Sequence, residues 1–256
     1  MHLYQRDPLR VLFPMPEAGD IEIAVLLTTS GGLVAGDRLA IEIQVGEGAA
    51  AHVSAAAAEK IYRSTGATTA VAQHMGVGPG AWLEYLPPET ILFDGVRLRR
   101  ETRIELAAGA GFLGGSILVF GRQARGERLT NGLVNERCEV WHAGALVWGD
   151  ALHLDGDIAA TIADPACFAG AAACATLILA PPKGDPGGFL DAVRDMQARA
   201  AEPGLQAGAT VVGGLLVARW LGQDALALRR AYAELACHFR EAAMGLPRRL
   251  PRLWHV

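Results

Sequence analysis

Two periodicities divide the chain. Ile21 to Leu27 (IEIAVLL) opens with apolar and polar positions in alternation, and Ala40 to Val45 (AIEIQV) repeats the pattern cleanly, as half-buried strands do. Between them Ser30 to Asp37 (SGGLVAGD) supplies glycines that permit positive φ and a close backbone approach, so a hairpin-like unit is expected here. A weak internal repeat follows. VGEGAAAHVS at Val45, VGPGAWLEYL at Val77, LAAGAGFLGG at Leu106 and HAGALVWGD at His142 each set a glycine turn before a short apolar run, and Gly48, Gly80, Gly109 and Gly144 stand 32, 29 and 35 residues apart. This spacing suits strands that return to equivalent positions in a solenoid-like stack, although glycine turns also recur in an antiparallel meander.

After Ala180 the pattern changes. PPKGDPGG is a breaker-rich loop, and Phe189 to Ala200 (FLDAVRDMQARA) sets Leu190, Val193 and Met196 on one face with charges between them, which predicts an amphipathic helix. Ala209 to Leu221 reads as one strand lightly interrupted at its Gly pair. A second helix is expected from about Asp224 to Met244, with Leu228, Tyr232, Leu235 and Phe239 on its apolar face, Asp224 as N-cap and Gly245 followed by Pro247 as stop. The expected fold is mainly β, a β-helical or solenoid-like stack of strands with two α-helices in the C-terminal third. It forms one domain over residues 1–256, in which 1–180 is β-rich and 181–256 is a helix–strand–helix unit packed on it.

Composition refines this picture in one respect: the apolar half is made of small side chains, with 46 Ala and 31 Gly against 6% aromatic residues. A net charge of -4 gives no general attraction to phosphate, so nucleic acid is disfavoured as a partner. The start, MHLYQRDPLRVLF, mixes both charge signs with a proline and does not read as a signal peptide. The longest apolar runs, Phe168 to Ala180 and Thr210 to Ala218, are too short to cross a bilayer, so no membrane association is expected. Cys138, Cys167, Cys174 and Cys237 form no CxxC pair and read as reduced thiols of a cytoplasmic protein, packed as small hydrophobes.

Familiar catalytic motifs are missing. GxSxG, GxxxxGK[ST], HExxH and a strand-linked GxGxxG are all absent, and no two of the seven histidines stand three or four residues apart. What remains is a set of polar clusters: GGLVAGDRL at Gly31, AEKIYRSTG at Ala58 and GRQARGE at Gly121. Taken singly, each is readable as a turn with a solvated salt bridge.

Taken in order, they are more specific. GGLVAGDRL, AEKIYRSTG, LEYLPPETILFDGVRLRR from Leu83, GRQARGE, NERCEVW from Asn135 and LPRLW from Leu250 resemble the UreD (UreH) urease accessory proteins over nearly the whole chain. The resemblance implies a β-rich, helically wound fold with two α-helices and a non-catalytic role in nickel insertion. It also implies apo-urease, UreF and the GTPase UreG as partners, and Ni2+ as a transient passenger in an internal tunnel rather than a tightly bound cofactor. Scattered carboxylates and water suit such a conduit better than clustered imidazole or thiolate, whose nickel affinity is high. Matched to the family's motifs, Asp37, Glu59, Glu89 and Asp150 are the candidate tunnel-lining acids, and Lys60 adjoins Glu59. Tyr232, Phe239, Arg248, Arg249 and Trp254 are candidate partner contacts, with docking of the C-terminus onto the sheet as the other role open to Trp254.

Three departures bear on the metal path. Ala35 and Arg38 stand where the family often has glycine and an acid, and Ser116 stands where it often has Asp or Glu. YQRDPLRVLFP at Tyr4 aligns with a segment that many members reach only further along, which implies a missing first strand pair or a late start. Two other readings remain open on the residues alone: a hydrolase or transferase on a β-solenoid using Asp37 or Glu59/Lys60, and a β-rich binding module without a metal role.

Overall fold

The computed structural model describes residues 2–199 and 203–255. In chain order the strands are β1 (Leu9–Leu12), β2 (Glu22–Thr28), β3 (Arg38–Val45), β4 (Ala50–Ala55), β5 (Glu59–Ile61), β6 (Thr69–Val77), β7 (Trp82–Tyr85), β8 (Thr90–Leu92), β9 (Val96–Leu106), β10 (Gly111–Phe120), β11 (Asn131–His142) and β12 (Ala145–Asp157). There follow α1 (Ile158–Ala163), β13 (Ala173–Ala180), α2 (Leu190–Arg199), β14 (Leu205–Val212), β15 (Leu215–Gly222) and α3 (Ala225–Met244).

The strands form two sheets, wound from a repeating coil. Each coil gives one strand to a ten-stranded sheet and the next to a five-stranded sheet, so β2, β4, β7 and β10 stack in parallel in the first while β3, β6, β9 and β11 stack in parallel in the second. Val45, Val77 and Leu106 are in register, and their carbonyls accept from the backbone of the next coil, Gly78, Ala107 and, for Leu106, Ala143. The glycine turns of the sequence repeat are therefore stacked corners, with Gly48, Gly80, Gly109 and Gly144 all at φ between 63° and 82°. The fourth corner is different in kind. Gly144 closes a hairpin, and β12 returns antiparallel on β11 to end the winding.

Two local expectations fail for reasons of register. β2 and β3 do not pair as a hairpin; they lie in different sheets, because the chain between them turns a corner of the coil. The apolar run from Ala209 to Leu221 is not one strand. Gly213 (φ 58°) and Gly214 (φ 77°) form the two-residue turn of a hairpin between β14 and β15, a turn that requires positive φ at both positions. The predicted helices are present as α2 and α3, joined by the unforeseen short α1. Asp224 caps α3, its Oδ1 accepting from Leu226 N at 2.7 Å and Ala227 N at 3.3 Å, and Gly245 ends it in the left-handed region. Ala200, the last residue of the helix expected from Phe189, lies outside the described residues.

Between the sheets lie two apolar clusters, one around Met75, Ile104, Phe112 and Ile178 and the other around Ile61, Leu98, Phe120 and Val134. The outer face of the ten-stranded sheet is covered by α3 and the tail. Trp82, Leu177, Trp220, Leu228, Tyr232, Phe239 and Trp254 form one buried layer there. β13, β15 and β14 continue this sheet, with α2 laid against β14, so the C-terminal third is built into the fold rather than appended to it.

Candidate functional site

The two inter-sheet clusters are separated by a polar band. Alternation along β9 and β11 turns Leu98, Arg100, Thr102 and Ile104 inward from one and Val134, Glu136, Cys138 and Val140 from the other, so that Arg100 pairs in register with Glu136, and Thr102 with Cys138. Gln73 and Asp150 continue the second of these rows on β6 and β12. From the facing sheet come Ser116, Thr176 and Arg219 in one row, and Glu59, Thr90 and Cys174 in the next. The band encloses a chamber of about 520 Å³, whose exposed lining residues Cys167, Gln206, Gly208 and Arg219 mark a mouth on the side of β12 and β14. Gly114 packs closely against two of the lining residues, Phe112 and Tyr85. A Cβ there would stand 2.5 Å from the Phe112 ring and 2.7 Å from the Tyr85 carbonyl oxygen.

At the centre, Arg100 spans the gap between the sheets. Its guanidinium lies 2.5 Å from Glu136 on its own sheet and 3.6 Å from Glu59 on the other, and it donates to Thr90 Oγ1 at 2.9 Å. Burial raises the pKa of both Glu59 and Glu136, against the downward pull of Arg100. A second chain of hydrogen bonds runs from Thr102 Oγ1 to Gln73 Oε1 (2.9 Å) and from Gln73 Nε2 to the Tyr85 hydroxyl oxygen (2.8 Å). Nearer the mouth Asp150 pairs with Arg219 at 2.8 Å. Burial also pushes the Cys138 and Cys174 thiols up to about 12, and the acids Asp150 and Glu136 add to the shift, so both remain protonated at neutral pH. The chamber thus sets the carboxylates of Glu136 and Asp150 against the guanidinium groups of Arg100 and Arg219, with Glu59 behind Arg100. Among the described residues, no three His, Cys, Asp or Glu side chains are gathered so as to hold a metal ion.

A separate buried charge cluster binds the helical layer to the outer face of the ten-stranded sheet. Arg240 of α3 donates from Nε to both Glu84 oxygens (3.0 and 2.9 Å), while Glu84 also meets His52 Nδ1 at 2.7 Å and accepts from Trp82 Nε1 at 3.1 Å. The other guanidinium nitrogens reach Asp20 and the carbonyls of Pro247 and Arg249. His52, Glu84 and Arg240 are wholly buried, so the cluster fastens the segment before β2, two strands, α3 and the C-terminal tail at one point.

The sequence-predicted residues fall into distinct places. Asp150 lines the chamber, and Glu59 touches it through Arg100. Asp37 does neither: its carboxylate accepts from Val34 N at 2.9 Å within the loop that precedes β3. Glu89 lies on the other side of the sheet, paired with Arg229 of α3 at 3.3 Å. Glu59 and Lys60 are consecutive strand residues and face opposite ways, Lys60 to solvent, so they form no acid–base pair. Tyr232 and Phe239 are fully buried under α3 and serve as core, because the apolar stripe of the helix is consumed by the sheet. Trp254 docks the tail: its Nε1 donates to Leu86 O at 3.0 Å, and its ring stacks on Tyr232 with centroids 6.4 Å apart. Arg248 and Arg249 remain half-exposed, paired with Glu241 and Glu17. Arg100, Glu136 and Arg240 were not singled out from sequence, although Arg100 and Glu136 lie inside the recognised segments.

The chain is thus a two-sheet, coil-wound β scaffold with a carboxylate-bearing internal chamber. Comparison with known proteins narrows that class. A family profile described as UreD urease accessory protein matches residues 1–255. The chain is 45% identical over 256 residues to the urease accessory protein UreD of Magnetococcus marinus (strain ATCC BAA-1437 / JCM 17883 / MC-1), covering 99% of this chain and 88% of that protein. It is 44% identical to the UreD of Methylobacterium sp. (strain 4-46), again over 99% and 88%. With UreD 1 of Bradyrhizobium sp. (strain ORS 278) the identity is 40%, over 99% and 86%. The chain belongs to the UreD family of urease accessory proteins, and its role lies in urease maturation. No helix among the described residues is long and apolar enough to cross a membrane.

Proposed function

We propose that the chain is a non-catalytic scaffold of urease maturation, which binds apo-urease together with UreF and UreG and passes Ni2+, as cargo, through the inter-sheet chamber toward the urease active site. The observation that supports this reading is the chamber itself. Charged groups taken out of water are costly even when paired, and Glu59, Glu136 and Asp150, each held by an arginine, stand in the polar layer between two apolar clusters. A core built for stability alone has no use for them.

The donor set also suits release. Carboxylates and water exchange a nickel ion more readily than imidazole or thiolate, and the two wall thiols are held in their protonated form. In this reading the chain works in the cytoplasm, holds no cofactor tightly and takes neither nucleic acid nor membrane as a partner. Arg248 and Arg249, half-exposed on the tail, are the partner-facing candidates; Trp254, Tyr232 and Phe239 act behind them by holding tail and helix in place. The test is urease activation in cells that supply apo-urease, UreF and UreG with and without this chain. Activation and co-purification that require the chain are expected. Urease that acquires nickel equally well without it would overturn the proposal.

A further inference from the structure

Arg100 occupies an unusual position. It is a long cation, more than nine-tenths buried, standing between two carboxylates that belong to opposite sheets. Glu136 is its in-register neighbour on β11, whereas Glu59 is reached only across the chamber from β5. The guanidinium is thus flanked by two carboxylates and the Thr90 hydroxyl, oxygen donors of the kind that hold a divalent cation. That position already has a positive charge in residence.

We infer that Glu59 and Glu136 form a divalent-cation position inside the chamber and that the Arg100 guanidinium is its built-in competitor, which keeps an entering ion from being retained. This rests on the reading of the chamber as a cation passage, and deepens it by naming the residue that sets retention. The guanidinium and the incoming ion compete for the same oxygens, so each weakens the other's hold, and the flexible stem of Arg100 lets it move aside without disturbing the β9 ladder.

The test is equilibrium binding of NiCl2 to the isolated full-length chain by calorimetry, so that its outcome is independent of urease activation. Wild type is expected to bind weakly. Arg100→Met should bind one Ni2+ about tenfold or more tightly, since a neighbouring Arg shifts the proton affinity of a carboxylate by about 1 to 3 pKa units and should act on a metal ion likewise. The double variant Arg100→Met/Glu136→Gln should lose that gain. If Arg100→Met does not fold, Arg100→Lys keeps a buried cation whose single point charge cannot span both acids, and it should bind Ni2+ more tightly than wild type by a smaller factor. Folded Arg100 variants with wild-type nickel affinity, or a gain that survives Glu136→Gln, would overturn the inference. Loss of the urease-activation requirement with the binding gain intact would instead overturn only the delivery reading.

Discussion

Arg240→Met should be the most damaging single substitution on the helical side of the fold. Methionine keeps most of the stem's packing, so the loss comes from charge: Glu84, wholly buried, would retain only His52 and Trp82 as partners, and Asp20 would lose its guanidinium contact. Stranding one member of a buried ion pair costs about 3 to 5 kcal/mol. For a chain of this size, that corresponds to a fall in melting temperature of about 10 °C. Urea unfolding followed by tryptophan fluorescence should show a lower midpoint with an unchanged slope. Adding Glu84→Gln to Arg240→Met should recover part of the loss, because a neutral amide is cheaper to leave in that place than a carboxylate. Trypsin should also cut the variant sooner at Arg248, Arg249 or Arg252, since Arg240 holds the carbonyls of Pro247 and Arg249. A folded Arg240→Met within about 1 kcal/mol of wild type, with the tail equally protected, would refute the reasoning.

Other outcomes follow from single residues. The Tyr232 hydroxyl is buried with no hydrogen-bond partner among the described residues, so Tyr232→Phe should leave stability unchanged or raise it by about 1 kcal/mol in the same urea assay. Burial pushes the Asp94 pKa up, but hydrogen bonds from Thr130 N, Thr130 Oγ1 and Asn131 N outweigh it and leave the value lowered. A folded pKa below the unfolded one gives stability that is present above the ordinary value of about 3.9 and is lost as pH falls through the depressed one. The stability gap between wild type and Asp94→Asn should therefore narrow as pH falls below about 4. At pH 8 an aromatic disulfide reagent should titrate the exposed Cys167 promptly, and Cys138, Cys174 and Cys237 only on unfolding, as burial raises all three. Rapid reaction of Cys138 or Cys174 would show a chamber more open to solvent than the structure has it.

The winding was legible in the glycines and the chamber was not, and the difference is physical. Gly48, Gly80 and Gly109 mark corners because each corner needs positive φ, a requirement written into one residue at a time. Partnership between strands is written nowhere locally. β2 and β3 alternate as hairpin strands would, but pair with strands one coil further on, and only the stack decides this. The same holds for the acids. Glu59, Arg100 and Glu136 lie in three different coils, and register alone brings them together. A partial signal existed in RLRRETRIEL, where strict alternation from Leu98 to Ile104 puts Arg100 on the apolar side. Arg240 gave a similar one, four residues after the buried Ala236 on the apolar stripe of α3. A charge on a core-facing position needs a buried partner, and that rule would have pointed to both.

The chamber also gives weight to one departure from the family pattern. Ser116, where the resemblance led an acid to be expected, lines the chamber wall in register with Thr176 and Arg219. Its place allows the central claim to be tested by obstruction. Ser116→Phe should fill part of the cavity while leaving the outer surface, the helices and the tail unaltered. The decisive measurement is the nickel content of urease matured with this variant, alongside recovery of the urease–UreF–UreG complex. Passage through the chamber requires that the complex form normally while nickel per urease site falls severalfold. A folded Ser116→Phe protein that assembles the complex and delivers wild-type amounts of nickel would contradict it.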